Sequence, residues 1–137
     1  MDPNVTFKGT ALIVDDDPML RSLLRVILRE EGWAVTGEAA NGEQAIAQCK
    51  EQRPDVVCLD VMMPGMSGLE VLGVLRQEVP GSKVVMITSD ASMLTVREAV
   101  GHGAAGYIVK PFNAKRVGDA LAQAMKHGNA GEGSAAG

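Results

Sequence analysis

The chain reads as an α/β protein built on one five-stranded parallel sheet with helices on both faces, and three observations predict this. Short, unbroken apolar runs recur, of the kind that strands buried on both faces require. A segment with helical punctuation or periodicity follows each run, so strand and helix alternate five times. Four of the five runs end in a charged or reactive side chain. In a parallel sheet those ends share one edge, outside which the ligand crevices of open α/β sheets lie.

The first run is Ala11-Leu12-Ile13-Val14, and it stops at Asp15-Asp16-Asp17. Pro18 suits a first helical turn with Asp17 as its cap. Leu20, Leu23, Leu24, Ile27 and Leu28 then repeat at helical spacing until Gly32 ends the helix. Trp33-Ala34-Val35-Thr36-Gly37 is weaker and suits an edge strand. Asn41-Gly42 opens a second helix through Gln52, held by Ala45, Ile46 and Cys49 and closed by Pro54. The central run Val56-Val57-Cys58-Leu59 ends on Asp60, after which Pro64, Gly65 and Gly68 break regular structure. Ser67-Gly68-Leu69-Glu70 has the pattern of a capping box and starts a helix through Leu72 and Leu75 toward Val79, which Pro80-Gly81 terminates. Val84-Val85-Met86-Ile87 is the fourth strand and delivers Thr88 and Ser89. The next helix turns Val96, Ala99 and Val100 inward and stops near Gly101-His102-Gly103. Tyr107-Ile108-Val109 is the fifth strand, ending at Lys110-Pro111, and the last helix carries Val117, Ala120, Leu121, Ala124 and Met125 on one face. The expected organisation is an N-terminal extension over residues 1–9, one folded domain over 10–127, and a Gly/Ala-rich tail or linker stub over 128–137.

Composition narrows the function. A net charge of -4, with no cluster of Lys and Arg, leaves no electrostatic footprint for direct nucleic acid binding. The apolar runs are too short for membrane insertion, and Met1-Asp2-Pro3-Asn4 lacks a secretory signal, so a cytoplasmic location is expected. Cys49 and Cys58 fit neither a metal-ligand spacing nor a redox motif and read as reduced core residues.

The converging ends carry the chemistry. Asp15, Asp16 and Asp60 at one crevice would repel each other unless a cation sat among them, and hard oxygen donors suit Mg²⁺. A cation, the Lys110 amine and the Thr88 hydroxyl would together compensate a phosphoryl group beside a carboxylate, and the carboxylate itself can be the nucleophile. No His or Cys joins the set, which argues against base-activated acyl transfer. His102 and His127 stand beside glycines at helix ends, where a solvated cation is the simpler role.

At these residues the chain resembles the receiver domains of two-component response regulators, and in particular the single-domain chemotaxis-type regulators. The resemblance runs from about Thr10 to Lys126 and rests on Ala11-Leu12-Ile13-Val14-Asp15-Asp16-Asp17-Pro18, on Leu59-Asp60-Val61-Met62-Met63-Pro64-Gly65-Met66-Ser67-Gly68, on Ile87-Thr88-Ser89 and on Gly106-Tyr107-Ile108-Val109-Lys110-Pro111-Phe112. It implies a flavodoxin-like sheet of order 2-1-3-4-5 with five helices, in a signalling phosphoprotein rather than an enzyme, limited to self-catalysed phosphotransfer and autodephosphorylation. It implies that Asp60 accepts a phosphoryl group from a histidine kinase or a histidine phosphotransfer protein of a phosphorelay. Asp16, Asp60 and the Met62 carbonyl would bind Mg²⁺ or Mn²⁺, with Asp15 acting through water, while Thr88 and Lys110 would contact the phosphoryl oxygens. It also implies a cis peptide at Lys110-Pro111. A switch in which Thr88 moves and Tyr107 follows would change a downstream partner's binding to the face of the fourth helix, fifth strand and fifth helix.

Three positions depart from the family's common pattern. Ser67 stands where an acid or Asn is frequent and still caps a helix. Ser89 replaces a smaller residue and narrows access. Met62 offers no hydrogen bond to a hydrolytic water and shields the site, which predicts a long-lived phosphoryl group. Asp90 either holds that water, repels hydroxide, or caps the helix that begins there. An aspartate-nucleophile phosphohydrolase is the rival reading, but it needs an acid two residues past the nucleophile, where this chain has Met62. A phosphorylation-independent scaffold receiver would be expected to lack Asp60, Thr88 or Lys110, and all three are present.

Overall fold

The computed structural model describes residues 6–89 and 93–127, with the side chains of 93–96 and 127 excepted. Met1 to Val5, Asp90 and the tail from Gly128 lie outside the described residues, as do the readings made of Asp90 and of the Val96 and His127 side chains. Ten elements alternate as expected: β1 (Thr10–Val14), α1 (Pro18–Glu30), β2 (Ala34–Ala39), α2 (Gly42–Gln52), β3 (Val56–Asp60), α3 (Gly68–Glu78), β4 (Lys83–Thr88), α4 (Met93–Gly101), β5 (Gly106–Val109) and α5 (Ala114–His127). The strands form one parallel sheet of order β2-β1-β3-β4-β5.

The unbroken apolar runs conceal a period of two. Ala11 and Ile13 of β1, Val56 and Cys58 of β3, and Val85, Ile87 and Ile108 pack with Leu24, Ile27 and Leu28 of α1 and Val117, Leu121 and Ala124 of α5. Leu12, Val14, Val57, Leu59, Val84 and Met86 point the other way, against Ala45 and Cys49 of α2, Val71, Leu72 and Leu75 of α3, and Ala99. Each central strand therefore serves two cores, and the buried polar side chains Asp60 and Thr88 stand only at the carboxyl ends of β3 and β4. Both cysteines are fully buried and free, and burial pushes their thiols up to about 12, so they are inert packing residues.

Local chemistry sets the helix starts. Asp17 accepts from the Met19 amide at 2.9 Å with Pro18 in the first turn, Asn41 accepts from the Gln44 amide at 2.9 Å, and Ser67 accepts from the Glu70 amide at 3.2 Å. Three details differ from expectation. Trp33 precedes β2 and is buried in the α1/α5 core, while β2 itself runs on to Ala39, because its pairing with β1 continues through Val14. Leu23 is 45% exposed and Val100 44%, so the apolar pattern on α1 and α4 is wider than the stripe the core uses. Lys8 and Gly9 already hydrogen-bond to the Gly32-to-Ala34 segment ahead of β1.

Candidate functional site

Asp15 follows directly on β1 and Asp60 is the last residue of β3, in neighbouring strands. Their register pairs Val14 with Leu59, so one step further along both strands sets Asp15 beside Asp60. Both continue the alternation of the Ala11 and Val56 face, as does Lys110 beyond Ile108 of β5, and this shared parity brings the three together. The crevice lies where the chain order reverses: from β1 the sheet grows to β2 on one side and to β3 on the other.

Asp15 and Asp60 are 1% and 3% exposed, whereas Asp16 is open to solvent. Carboxylate oxygens of all three lie within 4.8 Å of one another. The Lys110 ammonium sits between the two buried acids, 3.4 Å from Asp15 Oδ2 and 3.5 Å from Asp60 Oδ2. Each acid has one further anchor: Asp15 Oδ1 accepts from the Asp17 amide at 2.9 Å, and Asp60 Oδ1 from the Met62 amide at 3.2 Å. Burial pushes the Asp60 carboxyl up to about 6, and the Asp15 charge adds to the rise, while Lys110 and the Met62 amide pull it down. One ammonium does not balance three carboxylates. The shortfall, on oxygen donors alone, is compatible with a hard divalent cation such as Mg²⁺ at the Asp15, Asp16 and Asp60 cluster.

Thr88 is buried at the end of β4, and its carbonyl accepts from the Lys110 amide at 2.7 Å, tying the two positions together through the backbone. The Lys110-Pro111 peptide is cis. Tyr107 stands apart from the crevice, 46% exposed on the edge strand β5 and paired in register with Met86. It shares its sheet face with Met86 and Thr88. Met62 is 68% exposed, so its side chain projects largely into solvent and shields the acids less than expected. Ser89 is exposed and joins Leu20, Leu23, Lys110, Pro111 and Phe112 around an apolar cleft of about 340 Å³ beside the site.

Two residues were given no part in the site from the sequence, although Gly68 was read there as a breaker. Gly68 packs against the end of β3: a Cβ there would come within 2.3 Å of the Asp60 carbonyl oxygen, so only glycine lets α3 start this close. The Arg21 guanidinium donates to the Asp15 carbonyl oxygen at 2.7 Å. Its place one turn into α1 was legible, but its partner Glu38 was not, since the strand read over 33–37 stops one residue short of it.

A family model for the response regulator receiver domain matches residues 11–122. The chain is similar to the probable transcriptional regulatory protein TcrX of Mycobacterium tuberculosis, 44% identical over 79% of this chain, and spans 46% of that relative's length. It is also 37% identical to the chemotaxis protein CheY of Thermotoga maritima, over 84% of this chain and 96% of that one. Among solved structures, the CheX-CheY complex with BeF3 and Mg²⁺ from Borrelia burgdorferi superposes with a TM-score of 0.80 at 31% identity, covering 91% of each chain.

Proposed function

The chain belongs to the response regulator receiver domain family of two-component signalling, and from that membership and its acidic crevice we propose that Asp60 is a phosphoacceptor. The observation that carries this is the Lys110 ammonium held between Asp15 and Asp60 at a cluster of three carboxylates. In the transfer, an Asp60 carboxylate oxygen attacks phosphorus, the bond between phosphorus and the donor's imidazole nitrogen breaks, and the imidazole leaves. Asp16, Asp60 and the Met62 carbonyl, with Asp15 through water, would hold a divalent cation, which would supply charge compensation at the phosphoryl oxygens. Lys110 offers its ammonium and Thr88 its hydroxyl to the same oxygens. In-line attack needs a fixed nucleophile, and the Met62 amide on Asp60 Oδ1 fixes it.

The donor in this reading is a histidine kinase or histidine phosphotransfer protein, docked by an apolar helix surface at the cleft between Leu20, Leu23 and Phe112, beside the reacting carboxylate. The output is a partner protein on the α4-β5-α5 face, in the cytoplasm. Among the described residues no helix is long and apolar enough to cross a membrane. The test is incubation with acetyl phosphate and Mg²⁺ followed by mass spectrometry of peptides. One phosphoryl group on Asp60, absent with excess chelator and absent from Asp60→Ala, supports the proposal. Modification elsewhere, or full reaction in chelator, overturns it, and turnover of a generic phosphate ester would favour a phosphohydrolase.

A further inference from the structure

We propose that Arg21 is a positioning residue that holds the Asp15-Asp16 turn in its cation-binding conformation, with Glu38 of the edge strand as its anchor. The inference rests on the phosphoacceptor reading of the same crevice. The Asp15 carbonyl oxygen accepts from Arg21 NH1 at 2.7 Å. The Arg21 Nε lies 3.4 Å from Glu38 Oε1, and Arg25 NH1 closes on the other oxygen, Glu38 Oε2. Glu38 is itself fixed: it pairs with Ile13 in the sheet, and its carbonyl accepts from Gln48 of α2 at 2.9 Å. The guanidinium thus bolts the turn to β2 and, through it, to α2.

The turn needs such a bolt. Asp15 has every other polar group engaged, its amide with the Ala39 carbonyl, Oδ1 with the Asp17 amide and Oδ2 with Lys110. Asp16, by contrast, is exposed, so the direction of its carboxylate follows from the peptide that joins it to Asp15. That peptide's oxygen is the atom Arg21 grips. At 20% side-chain exposure the guanidinium is partly shielded, where a charged donor to a carbonyl counts for more than in water. Glu38, shared with Arg25, offsets part of its charge and so lessens its repulsion of a cation. Arg25 touches Glu38 but has no bond to the turn, which makes it an internal control.

The test is calorimetric titration of Mg²⁺, repeated with Mn²⁺ by electron paramagnetic resonance, into the full chain and its Arg21→Gln, Arg25→Gln and Glu38→Gln variants, each also melted in chelator. Arg21→Gln should weaken cation binding roughly tenfold, as loss of a supporting partner does in metal sites. Arg25→Gln should stay within about twofold of the parent although it breaks an ion pair to the same Glu38. Glu38→Gln should give an intermediate loss and carries the test if Arg21→Gln melts below the titration temperature. Equal affinities in parent, Arg21→Gln and Glu38→Gln, or equal losses in Arg21→Gln and Arg25→Gln, would overturn the proposal. No binding by the parent would overturn the phosphoacceptor reading and this inference with it.

Discussion

At Asp60, the proposed phosphoacceptor, burial and the neighbouring Asp15 charge both favour the protonated form and push the carboxyl up to about 6. The fold therefore gains from Asp60 only while it is neutral. In the cation-free protein that contribution is whole below the ordinary carboxyl pKa of about 4 and is lost as pH rises through about 6. Asp60→Asn should abolish this slope and stabilise the chelated protein at pH 8 by on the order of 2 kcal/mol, read by denaturant titration at acid and alkaline pH. An unchanged slope would place the destabilising charge elsewhere. The proposed role of the Met62 side chain is on lifetime rather than stability. Its thioether stands in solvent two residues past Asp60 and offers no strong hydrogen bond to water, so Met62→Asn should shorten the half-life of the phosphorylated form severalfold in the absence of any phosphatase. Decay as slow as the parent's would leave the lifetime to other residues.

Helix α1 does two jobs on two faces. Leu24, Ile27 and Leu28 enter the core, while Met19, Leu23 and Val26 remain 80%, 45% and 51% exposed. That surplus of apolar surface adjoins the cleft at Phe112, so a charge placed in it should act on docking and spare the chemistry. Leu23→Glu should slow phosphotransfer from a histidine-bearing donor protein at least about tenfold, on the scale of a buried apolar contact, and leave the acetyl phosphate rate unchanged. Equal effects on both donors would show that the substitution disturbs Asp60 itself. The helical period of α1 was plain in the sequence, yet the same Leu spacing did not reveal which leucines face the sheet. Periodicity marks a stripe, and the width of the stripe that is buried depends on how closely α5 and β2 approach.

Across the molecule, the sheet links the site to the far edge. Thr88 and Tyr107 share a sheet face, one and two strands out from Asp60, Met86 being the register partner of Tyr107. If Thr88 turns toward a phosphoryl group, the space it leaves is on the side that Tyr107 can enter, giving a two-state element that phosphorylation biases. In the Thr88→Ala variant, beryllofluoride should still bind but no longer shift the Tyr107 ring resonances seen in the parent. Parallel shifts in both proteins would remove Thr88 from the coupling.

The apolar runs, the breaks after them and the caps Asp17, Asn41 and Ser67 determined the order and type of the ten elements, though not the bounds of β2, because apolar patterning, helix capping and chain reversal are written in short stretches of chain. The crevice was legible too, since a parallel sheet sends Asp15, Asp60, Thr88 and Lys110 to one edge whatever the strand order. Register was not. Only the pairing of β1 with β3 sets Asp15 beside Asp60 and places Lys110 within 3.5 Å of both. Likewise only the side-by-side packing of α1 and β2 joins Arg21 to Glu38, 17 positions apart in the chain (38 - 21) and in contact solely through the fold. Such contacts arise from long-range pairing, to which neither the spacing nor the type of the two residues points in advance.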